Sequence, residues 1–231
     1  MPIFYAPNIN HEAILPEEES LHAVKVLRLT AGSEITIYDG IGNAFQARIT
    51  LPHPKRCGVE LLSKTEAPLP MARIHIAIAP TKNIERIEWF VEKATEIGIH
   101  TITPLLCQHS ERKQIKTDRL HKIIVSACKQ SKNPFFPVLN ELSTFEQCIG
   151  TAQEPQKFIA HCYEQDKKQL HTELKPNTDV LILIGPEGDF SEEEVMAAIK
   201  AGFIPVTLGN TRLRTETAGL VACHTANLVN G

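Results

Sequence analysis

The chain has 231 residues and a mass of 25.7 kDa, with 42% hydrophobic and 22% charged residues, so it lies in the ordinary globular range and has room for one large domain or two small ones. That excludes a disordered chain, a collagen-like repeat and a coiled-coil rod. With 24 basic and 27 acidic residues the net charge of -3 argues weakly against a nucleic-acid partner, but the segment from Arg112 to Lys132 carries Arg112, Lys113, Lys116, Arg119, Lys122, Lys129 and Lys132 against Asp118 alone, about +6 on an acidic protein. The start, Met1-Pro2-Ile3-Phe4-Tyr5-Ala6-Pro7, has no signal-peptide pattern and no run of about 18 apolar residues follows, so a cytoplasmic protein is expected. Six cysteines (Cys57, Cys107, Cys128, Cys148, Cys162 and Cys223) form no C-x-x-C pair, and ten histidines form no H-x-x-x-H or H-E-x-x-H pattern. Buried thiols and no metal are the readings.

Residues 1 to about 64 read as β. Ile35 to Tyr38 alternates, Asp39-Gly40-Ile41-Gly42-Asn43 is a turn cluster, Ala44 to Thr50 alternates again, and Gly58 to Leu62 is a further strand. Such a run suggests a small barrel or meander. Glu17 to Leu29 is the exception, because Leu21, Val24 and Leu27 fit one helical face. Pro68 and Pro70 favour an extended connection, which places a first domain at 1–68 and a second at 71–231.

Beyond the prolines strands and helices alternate. Ile74 to Ala79 is an apolar strand, Asn83 caps a helix carrying Ile84, Ile87, Phe90, Val91, Ala94 and Ile97, and Gly98 stops it. Ile99 to Cys107 is the next strand, and a helix from about Asp118 to Ser131 turns Leu120, Ile123, Ile124, Ala127 and Cys128 inward. Phe158 to His161 and Val180 to Ile184 follow as strands. Ser191 and Glu194 make a capping box for a helix that Gly202 ends, Val206 to Leu208 is the last strand, and Ala218 to Val229 the last helix. This rhythm predicts an α/β domain with a mainly parallel sheet.

Ligands of parallel sheets bind beyond the carboxyl ends of the strands. Three segments there invite chemistry: Gly185-Pro186-Glu187-Gly188-Asp189-Phe190, Gly209 to Ala218, and Gln108 to Arg112. The first taken alone is ordinary turn chemistry. It lacks the Lys-Ser/Thr of a phosphate loop, and no G-x-G-x-x-G opens a helix, so nucleotide triphosphate and nicotinamide chemistry lose their main support. The second is denser, since Arg212, Arg214, Thr215, Glu216 and Thr217 crowd a helix start where capping needs one threonine.

Ile184-Gly185-Pro186-Glu187-Gly188 with Phe190-Ser191, and Leu208-Gly209 leading to Leu213-Arg214-Thr215-Glu216-Thr217-Ala218, resemble the two signature segments of the ribosomal small-subunit RNA methyltransferase E (RsmE) family of the trefoil-knotted SPOUT superfamily. Glu88-Trp89, Lys93-Ala94-Thr95-Glu96-Ile97-Gly98, Ile102-Thr103-Pro104, Ser110-Glu111-Arg112, Gln130-Ser131 and His22 with Val26-Leu27-Arg28 extend the likeness over nearly the whole chain. Two positions depart from the pattern: Asp189 stands where many members have a second glycine, and Lys132-Asn133 where an arginine follows the Gln-Ser pair.

The resemblance implies a PUA-like β-barrel followed by a knotted α/β domain, a homodimer, and S-adenosylmethionine-dependent methylation of N3 of a uridine in the 16S ribosomal RNA of the small subunit. Topology rules alone argue against a knot. The donor would lie against Leu105, Leu106, Gly185, Glu187, Gly188, Leu208, Gly209, Leu213, Thr217 and Ala218. Arg214, with Arg212, would steady charge developing on the base, and Glu216 is a candidate base that equally fits capping or pairing with Arg214. Lys25, Arg28, Arg112, Lys113, Arg119, Lys122, Lys129 and Lys132 would contact RNA, Arg119, Lys122 and Lys129 sharing a helical face opposite Leu120, Ile124 and Ala127. Trp89 at helical spacing reads as packing. The competing reading is a non-catalytic RNA-binding ribosome assembly factor.

Overall fold

The computed structural model describes residues 1–164 and 167–230. The chain divides into two compact units, Met1–Leu69 with Val125–Phe136, and Pro70–Ile124 with Pro137–Gly231. The second stretch of the first unit comes from the middle of what the sequence alone assigns to the α/β domain.

In the first unit β1 (Ile3–Tyr5) is followed by α1 (Glu17–Leu21), which widens into a π-turn over His22–Val26. The strands β2 (Glu34–Tyr38), β3 (Asn43–Leu51) and β4 (Gly58–Glu66) then complete a four-stranded sheet in the order β1-β2-β3-β4. β1 lies parallel to β2 and the other pairs are antiparallel. Phe4, Ile9, Leu15, Ile35, Ile37, Phe45, Ile49 and Val59 form its core. The expected inward face of the first helix is not the one observed. Leu21 and Leu27 are exposed and Val24 is half-buried, whereas Glu19, Ser20 and Ala23 are buried. Polar bonds decide the rotation: Ser20 Oγ donates to the Leu15 carbonyl and accepts from Cys57 N, both at 2.9 Å, and the Glu19 carboxylate holds Lys129 Nζ at 2.8 and 2.9 Å. The π-turn also breaks the 3.6-residue period on which the expected stripe relied.

The β2–β3 turn is closed by Asp39, whose carboxylate accepts from Ile41 N at 3.0 Å, Asn43 N at 3.1 Å and Asn43 Nδ2. Gly42 stands at φ 103°, and a Cβ there would fall 2.4 Å from the Phe135 ring, so the segment ending at Phe136 can lie against this turn only because the side chain is absent. Phe136 stacks on Tyr5 with ring centroids 4.5 Å apart.

The second unit comprises β5 (Ile74–Ile78), α2 (Ile84–Ile97), β6 (Thr101–Leu106), α3 (Thr117–Ser131, continuing into the first unit), β7 (Val138–Leu139), β8 (Ser143–Thr144), α4 (Phe145–Thr151), β9 (Gln156–Ala160), β10 (Lys168–Gln169), α5 (Leu170–Glu173), β11 (Val180–Ile184), α6 (Glu192–Lys200), β12 (Ile204–Thr207) and α7 (Thr215–Asn230). The sheet order is β10-β12-β9-β11-β5-β6-β7, with β8 also on β6, and each of these pairs is parallel. β11 is buried along its whole length, as an unbroken Val-Leu-Ile-Leu-Ile run in a sheet covered on both faces requires. One covering layer packs Phe145, Phe190, Val195 and Phe203 against Ala77, Leu105, Ile159 and Leu183. The other is α2 against α7, where Gly219 leaves no room for a Cβ, which would meet Ile78 Cδ1 at 2.7 Å and Phe90 Cε2 at 2.8 Å.

The caps form where the sequence signals them. Asn83 accepts from Glu85 N, Gly98 ends α2 at φ 110°, and Ser191 with Glu194 makes a complete capping box. Five cysteines are buried and Cys162 is exposed. Burial pushes the Cys128 and Cys223 thiols up to about 12 and Cys148 to about 11, which keeps them inert at neutral pH.

A polar file crosses the sheet near its amino edge: His75 Nδ1 lies 2.6 Å from Glu154, His75 Nε2 lies 2.7 Å from Thr103 Oγ1, and Asn140 Nδ2 donates to that same hydroxyl at 2.8 Å. Burial raises the Glu154 carboxyl, but the hydrogen bond from His75 and those from backbone amides outweigh it and hold the group below its ordinary value. A depressed folded-state value means the stabilisation is complete above the ordinary carboxylate range and is lost as pH falls through the folded value. The difference in unfolding free energy between wild type and Glu154→Gln is therefore expected to be constant near neutrality and to shrink below about pH 4.3. Urea midpoints across pH read this, and a difference that persists unchanged into acid removes the ionised Glu154 carboxylate from the account.

Candidate active site

Because the strands are parallel, the segments after β5, β6, β9, β11 and β12 emerge at one edge of the sheet. Between those following β9, β11 and β12 lies a cleft of about 320 Å³. Its floor is Ala160, Ile184, Gly185 and Pro186; Leu213 and Ala218 supply apolar walls; Glu187, Asp189, Cys162, Arg212, Arg214 and Thr215 supply the polar rim. Thr215 Oγ1 donates to the Gly185 carbonyl at 3.1 Å, tying the start of α7 to the turn after β11. A Cβ on Gly185 would sit 3.1 Å from the Phe190 ring, so this turn is tightly wrapped.

Asp189 explains how a residue other than glycine fits here. It holds φ 65°, a conformation that Asp tolerates better than most side chains. Its carboxylate accepts from Cys162 N at 2.7 Å and from Phe190 N at 2.9 Å, joining the segment after β9 to the turn after β11. The loop after β6 docks on the same turn: His109 Nδ1 lies 3.1 Å from the Asp189 carbonyl, and a Cβ on Gly188 would meet His109 Cβ at 3.1 Å.

A second cleft, about 270 Å³, lies between the first turns of α2 and α7 and is lined by Asn83, Glu85, Arg86, Trp89, Glu216 and Thr217. Glu216 belongs to this cleft and not to the first. It is buried, with Oε1 3.8 Å from Arg86 Nε and Oε2 lacking a hydrogen-bond partner among the described residues. The carboxylate expected to act as a base or to pair with Arg214 thus faces Arg86.

Of the ten expected donor residues, Gly185, Glu187, Leu213 and Ala218 line the first cleft. Leu105 is fully buried in the core beside Phe145, and Leu106 is half-buried at the end of β6. Gly188 is exposed against His109, Leu208 and Gly209 stand outside the lining, and Thr217 lies in the second cleft. Sequence reasoning misses Ala160, Cys162, Ile184, Pro186, Asp189 and Thr215. The carboxyl-end rule could have found Cys162 and Ala160, since the strand before them is legible. Arg86 had no signal, because a basic residue in the first turn of a helix reads as solvated.

Of the expected RNA contacts, Lys25, Arg28, Lys113, Lys122 and Lys132 are exposed. Three others bind within their own unit. Lys129 grips Glu19; Arg119 Nε lies 2.6 Å from Glu88, with Nη2 donating at 2.7 Å; and Arg112 donates from Nε to the Thr81 carbonyl at 3.0 Å and from Nη2 to the Lys82 carbonyl at 2.6 Å. Arg28 and Lys132 stand at φ 54° and 59°, costly conformations for long side chains.

A parallel α/β unit with its cleft at the strand ends and a small β unit agree with the class that two family models give: an RNA methyltransferase domain with a PUA domain. The model of the RNA methyltransferase domain matches residues 67–227, and that of the RNA methyltransferase PUA domain matches residues 15–62. The chain is 32% identical over 226 residues to Ribosomal RNA small subunit methyltransferase E of Buchnera aphidicola subsp. Acyrthosiphon pisum, covering 93% of this chain and 87% of the relative. It superposes with a TM-score of 0.93, at 42% identity and over 100% of this chain and 98% of the other, on a Porphyromonas gingivalis protein described as a "probable rRNA-methyltransferase". The Neisseria gonorrhoeae small-subunit methyltransferase E, crystallised with S-adenosyl methionine, superposes with a TM-score of 0.86 at 27% identity, over 100% of this chain and 98% of the other. The chain belongs to the ribosomal RNA small subunit methyltransferase E family.

The Asp189 carboxylate generates a stability prediction. Asp189→Ala loses both amide bonds and keeps a side chain at positive φ, so it is expected to cost about 1–3 kcal/mol. Asp189→Gly loses the same bonds without the backbone strain and should cost less, as read from urea midpoints.

Proposed function

We propose that this protein transfers a methyl group from S-adenosylmethionine to N3 of a uridine in the 16S ribosomal RNA of the small subunit, as a cytoplasmic homodimer. The observation that carries the reading is the first cleft: a tightly wrapped turn after β11 facing two arginines that precede α7, in a chain of this family. Exposed Trp89 on α2 and Leu228 on α7 are apolar surface in keeping with a second copy.

The cleft suits the donor chemically. Ala160, Ile184, Leu213 and Ala218 offer apolar walls for a flat base, backbone groups of Gly185 and Pro186 can hydrogen-bond its edge, and the Glu187 and Asp189 carboxylates lie where a cationic donor gains from negative charge. When bound, S-adenosylmethionine supplies an electrophilic methyl carbon. The protein's own work is alignment and exclusion of water.

Uridine N3 carries a proton and is paired in a duplex, so the base must be unpaired and the proton passed to solvent water before N3 can act as nucleophile. The resulting anion spreads onto the two flanking carbonyl oxygens. Arg214 lines the cleft and is exposed, which supports giving it the role of donating to one of them and favouring the anion. Arg212 is committed at one end to the Glu187 carbonyl, 3.5 Å from Nη2, and serves the wall more than the acceptor. Glu216 acts on the side of α2 with Arg86. The exposed Lys25, Arg28, Lys113, Lys122 and Lys132 offer charge to the RNA backbone.

Incubation with labelled S-adenosylmethionine and small subunits from cells lacking the activity tests this, with primer extension to locate the product. A single stop at a uridine is expected. Measured donor binding without incorporation would overturn the catalytic reading in favour of an assembly factor. Arg214→Ala should lower the transfer rate about 10²-fold or more while S-adenosylhomocysteine still binds. Near-normal turnover would remove Arg214 from the chemistry.

A further inference from the structure

Two loops at the carboxyl edge of the sheet converge on one backbone corner of a third, Thr81-Lys82. From the loop after β6, Arg112 donates Nε to the Thr81 carbonyl at 3.0 Å and Nη2 to the Lys82 carbonyl at 2.6 Å. From the turn after β11, Glu187 Oε1 accepts from Lys82 N at 2.9 Å. Glu111, beside Arg112, lies 2.9 Å from Lys82 Nζ. One residue of the loop after β5 is thus held by its amide, its carbonyl and its ammonium at once.

The far end of this grip is the donor cleft. Glu187 lines that cleft, so the side chain that holds Lys82 N belongs to the wall that Gly185 and Pro186 continue. The corner also leads directly into Asn83, the cap of α2, and so into Arg86, which faces Glu216 in the first turn of α7. Backbone carbonyls beyond a strand end have no ladder partner, and two charge-assisted bonds from one rigid guanidinium fix both in a plane.

We propose that Arg112 is a positioning residue for the donor site, holding the Thr81-Lys82 corner on which Glu187 rests, and not an RNA phosphate contact. The Nε/Nη2 edge, with which an arginine takes a phosphate side-on, is the edge occupied by the two carbonyls. Lysine cannot replace it, because a single ammonium has no planar fork to span two adjacent carbonyls. The inference rests on the methyltransferase reading, since it assigns the cleft to the methyl donor.

Calorimetric titration with S-adenosylhomocysteine, together with the salt dependence of binding to a small-subunit ribosomal RNA fragment, tests it. Arg112→Ala is expected to weaken the donor product about tenfold, or about 1.4 kcal/mol, and to leave the slope of log affinity against log salt unchanged. Arg112→Lys, which keeps the charge and is the milder change should the alanine variant fold poorly, should lie close to Arg112→Ala for the donor and match wild type for RNA. In turnover, the donor KM should rise with the RNA KM unmoved, a split that general loosening of the fold does not produce. Unchanged donor affinity with a salt slope reduced by about one would overturn the proposal and return Arg112 to the RNA interface. Absence of S-adenosylhomocysteine binding by the wild-type protein would instead overturn the methyltransferase reading itself.

Discussion

The parallel register of the sheet is the constraint on which the rest depends. Ile184 is paired with Ile78 on one side and Ala160 on the other, so β5, β9 and β11 end level with each other. Their next residues, Ala79, His161 and Gly185, leave the sheet together. Parallel pairing obliges each connection to return over a face, and the helices that do so bury both faces of the sheet. What remains for a ligand is the edge where backbone groups are no longer paired. The glycines there, the φ of Asp189 and the bond from Thr215 to the Gly185 carbonyl are consequences of closing that edge without filling it.

Local signals were readable and long-range ones were not. The α2 cap at Asn83, the Ser191-Glu194 box, the glycine stops at 98 and 202 and the buried Val180–Ile184 strand each have a cause within a few residues, so the sequence displays them. The two-residue strands β7, β8 and β10 and the short helices α4 and α5 are too brief for any period to register. The face of α1 is not legible locally because its orientation is set by Cys57 and Lys129, 37 and 110 residues from their partners. Membership of Val125–Phe136 in the first unit has the same origin, since it rests on Phe135 against Gly42 and Phe136 against Tyr5.

The candidate site divides along the same line. Gly185, Glu187, Leu213 and Ala218 follow from the rule that ligands meet strand ends, with the family resemblance saying which ends. Leu105 stands next to a loop in sequence, yet a leucine side chain with no exposure inside a packed layer has no surface to offer a ligand. Glu216 could not be placed from sequence because residues one apart on a helix point about 100° apart. Thr215 therefore turns to Gly185 while Glu216 turns to Arg86.

Charge is where sequence counting misleads most. The excess between Arg112 and Lys132 suggests a continuous phosphate-binding strip, but acids distant in the chain neutralise it selectively: Glu88 at Arg119 and Glu19 at Lys129, while backbone carbonyls take Arg112. These partners distinguish two kinds of basic residue that composition cannot separate. The Glu19 and Lys129 side chains keep only 11% and 19% of their surface, so drawing Lys129 onto a phosphate would leave a buried carboxylate unpaired. Exposed Lys25, Arg28, Lys113 and Lys132 carry no comparable burial cost. An acidic protein can therefore offer RNA a restricted set of cations while its other basic residues serve the fold, which is how a net charge of -3 is compatible with a polyanionic substrate.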